Sequence, residues 1–435
     1  MEKGRGGDHM KLDPDGFIGT LLAIEGILDA RAVMNGPTGC RGNPAYFSDR
    51  HFPRENSLNR RSFEEPFFFG QSRIPCTYLD SDDYILGSAG KLREILPLIA
   101  EKGDSFLAIV NSPGASLIGD DLNRFLVEAN LDSICMAFEG AAYSYPLATG
   151  FDMAMVSILR WLKLNKFPKV KNRVNLLGFS INQKFWKGNV AELKKLCELM
   201  GLYVVCVPGA GSGIAEIRES TTASCNIVVY PEYSTKTAEY LESEYDIPAV
   251  IPAGGAPVGF TQTEEWISAV ADATGRDPNP ALEYLKEQRV HAFHQISRYH
   301  HEAGYPKGAT FSIRGDSSFV LPLTRWLFEY LSMLPVSVEF AEGQDPEMTG
   351  KLTEFLKTHE IPALGADPSI VQPDFYFGDS LTGKDLELSG KCRKTIELYN
   401  RTTSDIYFTE KAYLGGTGAL WILEEIFQTV KDFSE

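Results

Sequence analysis

Two cysteines stand where a folded chain could use them as ligands. Cys40 lies between two glycines in the turn "NGPTGCRG", four residues beyond Gly36, and Cys76 lies near the end of the short apolar segment "RIPCTY". A thiol in a glycine-rich turn can bind a metal, because no bulky side chain blocks the approach to its sulfur. Small buried thiols are also common in protein cores. Both interpretations, metal ligand and core residue, are therefore open for each cysteine.

The other five cysteines are expected to be structural. Their sequence neighbours place three in strand cores, one on a helix face and one in a charged helix: Cys135, Cys206 and Cys225, then Cys197, then Cys392. The chain has no CxxC pair and no zinc-finger spacing, which argues against a structural zinc site within one subunit. We expect most of these thiols to be reduced.

Three further motifs could bind a metal, an anion or a nucleotide. His291 and His294 lie three residues apart on one helical face, which is typical either of a metal site or of a polar helix end. The run "GAGSG" (209–213) follows a strand and could form an anion-binding nest, but it lacks the GxGxxG order of a dinucleotide site. In "GSAGKL" (87–92) the P-loop spacing is too short and a leucine replaces the required Ser or Thr. We therefore predict no ATP site in this chain.

The elements that would position these residues follow one repeated pattern. A short apolar run, a Gly/Ser/Pro turn and an amphipathic helix recur along the chain, as in "SFLAIVNSPGASLIGDDLNRFLVEA" (105–129). The runs "DFYFGD" (374–379) and "DIYFTE" (405–410) are interpreted as further short strands. Continuous apolar strands that alternate with helices indicate βαβ crossovers. The predicted fold is α/β, with three Rossmann-like domains whose parallel sheets are flanked by helices.

The strand ends are where this fold would bring the candidate ligands together. Ligands of open parallel sheets gather at the carboxyl ends of the strands. Cys40, Cys76 and the turn Ser112-Pro113-Gly114 each follow such an end. If the three strands share one sheet, both thiols face the same crevice.

Two polar stretches that contain proline divide the chain, at 164–173 and at 297–308. They predict a first domain over 11–165 that carries Cys40, a second over 170–298, and a third over 306–435 that ends in a C-terminal helix.

Composition restricts the partners and the location. The chain has 435 residues, of which 43% are hydrophobic and 23% charged, and its formal net charge is −16. This acidity argues against a nucleic-acid partner, because phosphate binding needs a basic face. No run approaches the roughly 18 apolar residues of a membrane span. The polar, Gly-rich N-terminus lacks the apolar stretch of a signal peptide. We expect a cytoplasmic protein.

Taken in order, the motifs resemble the nitrogenase component 1 family, which includes nitrogenase subunits, cofactor-assembly scaffolds and subunits of dark-operative protochlorophyllide reductase. The similarity covers most of the chain and rests on the following segments: "GPTGC", "DSDDYILGSAGKLREIL", "IVNSPGASLIGDDLNRF", "AFEGAAYSYPLATGFDMAM", "VNLLGF", "MGLYVV" with "GSGIAEI", "NIVVYPEYS" with "LESEYDIPAVIP", and "LGGTGALWILEEI". Asn35, directly before the first of these segments, stands where the family has histidine.

The resemblance implies an iron–sulfur cluster with an unusual ligand set. Family cluster sites draw up to three cysteines from one subunit, and only the middle one is present, as Cys40. The upstream position falls near Asp15 and the downstream position at Pro113. The resemblance therefore implies a [4Fe-4S] cluster shared at a subunit interface rather than a larger cluster. Within this chain Cys76 could add a second thiolate, and Asp15 could contribute an oxygen.

The resemblance also identifies candidate residues for a cofactor or substrate cavity. The cofactor-anchoring cysteine of nitrogenase corresponds to Tyr230, and the homocitrate-side glutamine falls near Tyr143. Gln183 and the pair Arg50-His51 are further candidates around the domain crevice. Because these ligands and the family's C-terminal histidine are missing, the chain is not expected to hold an iron–molybdenum cofactor.

The function implied by the resemblance is that of one subunit of a nitrogenase-like two-component reductase. A separate ATP-dependent iron protein would deliver single electrons to the interface cluster, which would reduce a small molecule, such as a tetrapyrrole, held between the three domains. The partner would be a homologous component 1 subunit, in a homodimer or a heterotetramer. A non-catalytic scaffold or cofactor-assembly subunit is the first alternative, and a ligand-binding α/β protein without metal is the second.

Overall fold

The computed structural model describes residues 13–53, 73–101, 103–140, 142–400 and 407–432. Their strands form three parallel sheets, one in each third of the chain, and helices pack on the sheet faces. This arrangement confirms the predicted α/β class and its parallel sheets. The domain boundaries themselves stay predictions.

The first sheet has the strand order β1-β2-β3. Its strands are β1 (Ala30–Asn35), β2 (Phe106–Asn111) and β3 (Cys135–Phe138), and its helices are α1 (Gly16–Glu25), α2 (Thr38–His51), α3 (Ser81–Leu86), α4 (Ala89–Ala100), α5 (Leu122–Glu128) and α6 (Leu147–Leu162). Every residue of β2 is buried, which explains why this strand is a continuous apolar run.

The second sheet has the order β5-β4-β6-β7. Its strands are β4 (Val170–Leu177), β5 (Tyr203–Cys206), β6 (Ala223–Val228) and β7 (Ala249–Val250), and its helices are α7 (Trp186–Leu199), α8 (Ile214–Glu219), α9 (Thr235–Tyr245), α10 (Gly259–Thr274) and α11 (Asn279–Ala303).

The third sheet has the order β11-β10-β8-β9. Its strands are β8 (Thr310–Gly315), β9 (Leu334–Phe340), β10 (Phe375–Gly378) and β11 (Lys394–Glu397). The helices in this last third of the chain are α12 (Ser317–Leu331), α13 (Pro346–Thr358), α14 (Pro368–Val371), α15 (Ser380–Leu388) and α16 (Gly415–Asp432). The C-terminal helix α16 packs on α7, α10 and α11 of the second third of the chain.

Two local predictions in the last third are wrong. The described part of "DIYFTE", residues 407–410, is loop, while 405–406 lie outside the described residues, and the edge strand of this sheet is β11 instead. Cys392 lies in a loop and not in a helix, because α15 ends at Leu388 and Gly390 follows with φ of +71°. A left-handed glycine is a common way to end a helix.

Carboxylates from one part of the chain cap helices that belong to another. Asp152 of α6 accepts hydrogen bonds from the backbone N–H groups of Lys236 and Thr237 at the start of α9, at 2.7 and 2.9 Å. Glu232, after β6, accepts from Ser318 N–H at the start of α12, at 2.8 Å. Each satisfies N–H groups that a helix leaves without an internal partner. Buried apolar side chains from all three sheets also contribute to one continuous cluster, while those on the other face of the first sheet form a separate one.

Candidate metal centre

The carboxyl ends of β1 and β2 are held together by a pair of asparagines. Asn35 and Asn111 are register partners, and Asn35 Nδ2 donates to Asn111 Oδ1 at 2.9 Å. Asn35 Oδ1 in turn accepts from Thr77 Oγ1 at 2.9 Å, and Met34 forms a parallel bridge with Cys76. The three segment ends that precede Cys40, Cys76 and Ser112 therefore lie at one edge, which we call the first-sheet edge.

Cys40 lies in the first turn of α2, where its thiol is partly exposed. Its sulfur lies near the side chain of Ser112 and within electrostatic range of Asp15. Partial burial raises the pKa of the Cys40 thiol above 9.0, the Asp15 charge raises it further, and the nearby Ser112 hydroxyl opposes both. The anionic forms of Cys40 and Asp15 repel each other, and a cation between them would relieve that repulsion.

Asp15 reaches this edge as the N-cap of α1. Its Oδ1 accepts from the backbone N–H of Ile18 at 3.2 Å, and its backbone forms a bridge with Pro146. The carboxylate is partly exposed. Helix capping alone accounts for an aspartate at this position, so Asp15 as a ligand stays a prediction, supported by its electrostatic range to Cys40.

Cys76 is held differently, with its side chain 1% exposed. Its sulfur donates to the carbonyl oxygen of Gly36 at 3.0 Å and accepts from the N–H of Tyr78 at 3.4 Å. These contacts fix the thiol inward at the base of the Cys40 turn. Cys76 therefore stays a predicted ligand that would have to exchange its bond to Gly36 for a metal.

Sequence reasoning placed the turn Ser112-Pro113-Gly114 at this edge but did not identify Tyr84. Tyr84, in α3, packs against Gly114 of that turn and is in electrostatic range of both Cys40 and Cys76. Desolvation is the main reason that the pKa of Tyr84 is raised.

A buried ion pair fixes the elements beneath the Cys40 turn. Arg73 Nε lies 3.1 Å from Glu25 Oε2, and both side chains are almost fully buried. Glu25 also accepts from the N–H of Ala32 at 2.7 Å and from the hydroxyl of Ser48. The network joins the end of α1, strand β1 and helix α2, so that the Cys40 turn sits on a rigid base.

The donor set of one chain is incomplete for a four-iron cluster. Among the described residues, no group of three or more His, Cys, Asp or Glu side chains is arranged to hold a metal. Cys40 and Asp15, which lie within electrostatic range of each other, are the two candidate donors at this partly exposed edge. These residues fit a cluster only if a second subunit supplies the remaining ligands.

The other predicted cavity residues lie in two separate places. Tyr230, 2% exposed, packs edge-on against Phe179 with ring centroids 5.5 Å apart, and desolvation raises its pKa well above 10.0. Gln183 Nε2 donates to the carbonyl of Gly178 at 3.3 Å, and Gly178 packs against the backbone of Tyr230. Gln183 and Tyr230 thus lie together at the carboxyl end of the second sheet. Tyr143 is exposed, in the loop that contacts the start of α1.

The structure separates Arg50 and His51 from Cys40. They occupy the last turn of α2 while Cys40 occupies its first, so roughly ten residues of helix, about 15 Å, lie between them. His291 lines a groove between α11 and α16, and both His291 and His294 are exposed.

The glycines of 209–213 serve packing between helices and sheet. The N–H of Gly211 donates to the carbonyl of Gly26 at 2.8 Å, and a Cβ on Gly26 would overlap the carbonyl oxygen of Gly209. This segment, predicted as a possible anion nest, is covered by the end of α1 and by Phe151.

Comparison with known proteins identifies relatives of this chain. The family model for nitrogenase component 1 type oxidoreductases matches residues 16–430. The beta chain of the nitrogenase molybdenum-iron protein of Rippkaea orientalis is 25% identical over 74% of this chain and 62% of its own length. One subunit of the light-independent protochlorophyllide reductase of Chloroflexus aurantiacus is 22% identical over 63% of this chain and 52% of its own length.

Among solved structures, "Nitrogenase Cp1 at pH 6.5" superposes with a TM-score of 0.75 at 16% identity, covering 100% of this chain and 95% of that one. That likeness is one of fold. The chain spans about three fifths or less of the length of the curated relatives named above. Among the described residues, no helix is both long and apolar enough to cross a membrane.

Proposed function

We propose a redox function for this chain, which belongs to the nitrogenase component 1 type oxidoreductases: it is one subunit of a two-component reductase that acts on a small molecule. In this proposal an ATP-dependent iron protein is the electron donor, and an iron–sulfur cluster at a subunit interface supplies one-electron transfer. The partner is a homologous subunit. The names of the relatives, which include a light-independent protochlorophyllide reductase, support a reductase.

The observation that carries this proposal is the position of Cys40 at a partly exposed strand edge, within electrostatic range of Asp15. A [4Fe-4S] cluster takes four protein ligands, and the pair supplies two. Two copies related by a two-fold axis, each presenting the same edge, would supply four. Alternatively, a different but homologous subunit with more cysteines would supply the remaining cluster ligands.

The surface around this edge supports docking of a protein partner. Ile85 and Leu86 of α3 are 80% and 84% exposed, and Leu117 in the neighbouring loop is 84% exposed. Exposed apolar side chains clustered in this way mark interaction sites. We assign this apolar rim (Ile85, Leu86, Leu117) to the iron protein, because electron transfer requires that the donor bind beside the Cys40 turn.

The chain's own residues prepare the Cys40 thiol for a ligand role. The buried Ser112 hydroxyl lowers the pKa of the Cys40 thiol, and Tyr84 packs against Gly114 in the same turn. The Glu25–Arg73 pair keeps the turn from shifting when the thiol loses its proton. These residues position the ligand and do not touch a substrate.

The crevice between the three sheets gives little support to a substrate site there. Arg314 pairs with Asp13 across it at 3.0 Å. Glu232 binds Ser317 and Ser318 from the other side. We therefore place the substrate near the first-sheet edge, at the interface with the partner subunit, rather than between the three domains.

Anaerobic purification of the full chain, with iron and sulfide analysis and an absorption spectrum, tests the proposal. We expect about four irons per subunit pair and a broad band near 400 nm after reconstitution, and loss of both in Cys40→Ala. Cys392→Ala, which removes a thiol from the loop before β11, is the matched control and should retain the cluster. Protein that stays colourless, alone and with its partner, would overturn the redox function.

A scaffold subunit is the second candidate, and the incomplete donor set favours it. Because the described residues hold no group of three ligands, the chain could complete a complex whose cluster depends mainly on the other subunit. In that case Cys40→Ala would leave the iron content of the assembled complex unchanged.

A further inference from the structure

An ion pair ties the third sheet to the segment that carries Asp15. Arg314 of β8 holds Asp13 with both nitrogens at the end of its guanidinium: Nη1 donates to Asp13 Oδ1 at 3.0 Å, and Nη2 donates to Asp13 Oδ2. Both side chains are 13% exposed. A two-pronged contact of this kind fixes the orientation of the carboxylate as well as its position.

Arg314 is in turn held by its own sheet. It is the register partner of Glu339 on β9, and its Nε lies 3.4 Å from Glu339 Oε2. The guanidinium therefore lies between a carboxylate of the third sheet and a carboxylate of the N-terminal segment. Asp13 is anchored to the frame of the third sheet in this way.

Pro14 makes the link between Asp13 and Asp15 short and stiff. Its ring fixes its own φ, and a proline also restricts the backbone of the residue before it. Asp15 follows directly in an extended conformation, with φ of −86° and ψ of 180°. Because few torsions are free between the two aspartates, a constraint on Asp13 is passed on to Asp15.

A second contact reaches Asp15 from the same sheet. Gly343, in the loop after β9, packs on Pro146, and a Cβ on this glycine would lie 2.8 Å from the proline Cβ. The backbone of Pro146 forms the bridge with Asp15. The third sheet therefore contacts the neighbours of Asp15 on two sides, at the point where α1 begins.

The Asp15 carboxylate needs such support if it is to serve as a ligand. It is partly exposed, and its Oδ1 accepts from Ile18 N–H at 3.2 Å, which is long for a capping bond. A ligand side chain has to be held within about 0.5 Å of its productive position. The support therefore has to come from the backbone on either side of Asp15.

We propose that Arg314 is a positioning residue for the first-sheet edge: through Asp13 it holds the Asp15 carboxylate where an iron–sulfur cluster can use it as an oxygen ligand. This inference rests on the proposed redox function. Arg314 acts through Asp13 and supplies no ligand itself.

Hydrogen exchange of the full chain, kept free of iron, tests the positioning by itself. The N–H groups of Ile18 and Gly19 both donate to Asp15, at 3.2 and 3.1 Å. Arg314→Met should speed their exchange about fivefold, which is the effect of losing an N-cap. Arg314→Lys keeps the charge but loses the fork, so its increase should be smaller.

Lys184→Met is the matched control for the exchange measurement. Lys184 Nζ donates to Glu397 Oε2 at 2.7 Å, in a buried ion pair that joins β11 to the loop after β4. The substitution therefore also breaks an ion pair of the third sheet, but away from residues 13–15. Exchange of Ile18 and Gly19 should stay at the wild-type rate.

The midpoint potential of the reconstituted cluster, measured with the partner subunit present, gives a second test. If Arg314 positions Asp15, its loss weakens an anionic ligand, and Arg314→Met should raise the potential as Asp15→Ala does. If Arg314 acted only through its charge, Arg314→Met would lower the potential, because a positive charge stabilises the reduced cluster. Arg314→Lys, with its charge unchanged, should raise the potential less than Arg314→Met.

The outcomes separate this inference from the redox function. Unchanged exchange in the folded Arg314 variants, or a lowered potential in Arg314→Met, would overturn the inference. If Arg314→Met fails to fold by circular dichroism, Arg314→Lys decides. A wild-type chain that binds no cluster would overturn the redox function, and the exchange rates would still show whether Arg314 positions Asp15.

Discussion

The first and second sheets share an asparagine pair between neighbouring strands, but their carboxyl edges differ in solvent exposure. Each sheet has an asparagine pair with an Nδ2 to Oδ1 distance of 2.9 Å: Asn35 with Asn111 at the last residues of β1 and β2, and Asn175 with Asn226 two residues before the ends of β4 and β6. At the first edge the Cys40 thiol is partly exposed. At the second edge Tyr230 is fully enclosed.

The difference shows what decides whether a strand edge becomes a site. Topology places loops at the carboxyl end in both sheets. At the second edge the loop glycines pack against α1 and Phe151, and Glu232 binds the start of α12. At the first edge Gly39, beside Cys40, has no atom near the position of a Cβ. Packing by neighbouring elements, rather than the sheet, separates an open edge from a closed one.

The largest difference in stability between the two edges is expected from a pair of glycine substitutions, one at each edge. Gly26→Ala would drive a methyl group into the carbonyl of Gly209 at the closed edge, and we expect it to lower the free energy of unfolding by about 4 kcal/mol or more. Gly39→Ala is the matched control at the open edge, in a helix, and should change it by at most about 1 kcal/mol, in the stabilising direction. Urea unfolding followed by circular dichroism measures both. Equal costs would show that the two edges are packed alike.

An intermediate effect is expected from Glu232→Gln. Burial raises the pKa of Glu232 above its ordinary value of 4.5, so the folded protein binds this proton more readily than the unfolded chain. The contribution to stability is then largest below pH 4.5 and is lost as the pH rises through the raised pKa. The contribution of Glu232 to the Tm should therefore fall with rising pH in that range, and Glu232→Gln should remove it, so that the Tm difference between wild type and variant shifts toward the variant as the pH rises.

Glu219→Gln provides the control for this pH dependence. The substitution removes the same charge as Glu232→Gln, but from a side chain that is 63% exposed. Its Tm profile should follow that of the wild type. A Glu232→Gln profile as steep as the wild type would show that Glu232 does not control the closed edge.

The smallest effect, with no change in stability, is expected from thiol alkylation of the native protein. Iodoacetamide should label Cys40 at the open edge and leave Cys206, at the closed edge, unlabelled until the protein unfolds. Burial raises the pKa of Cys206 to about 12 and holds that of Cys40 above 9.0. The Cys40 rate should therefore still be rising past pH 9.0, since the thiolate is the nucleophile. Peptide mass spectrometry gives both rates, and comparable labelling of Cys206 would contradict the closed second edge.

Most of the fold could be predicted from the sequence, because buried parallel strands and amphipathic helices produce clear patterns of apolar residues. Helix α9 begins and ends where the run "TKTAEYLESEY" does. Strand β11 was missed because four residues with a polar start, Lys394 and Thr395, give no continuous apolar run. Elements of that length are defined by pairing with a neighbour, which a single sequence does not show.

The candidate site was predictable in part. A cysteine in a glycine turn after a strand is a local signal, and Cys40 was found in this way. The approach of Tyr84 and Ser112 depends on segments that lie some thirty residues apart in sequence. The closed state of the second edge depends on contact between Gly26 and Gly209, two residues far apart in the chain. A glycine-rich run has the same local pattern whether it binds an anion or packs against a helix.

The carboxylates that cap distant helices make the chain a single cooperative unit. Unfolding the first sheet would remove Asp152 from α9, and unfolding the second would remove Glu232 from α12 and Glu192 from Thr417 at the start of α16. Each loss leaves N–H groups at the start of a helix without a hydrogen-bond partner in a neighbouring part of the molecule. The three sheets therefore cannot be excised and exchanged as modules, although each has the topology of a complete domain, and thermal unfolding should show one heat-absorption peak instead of three.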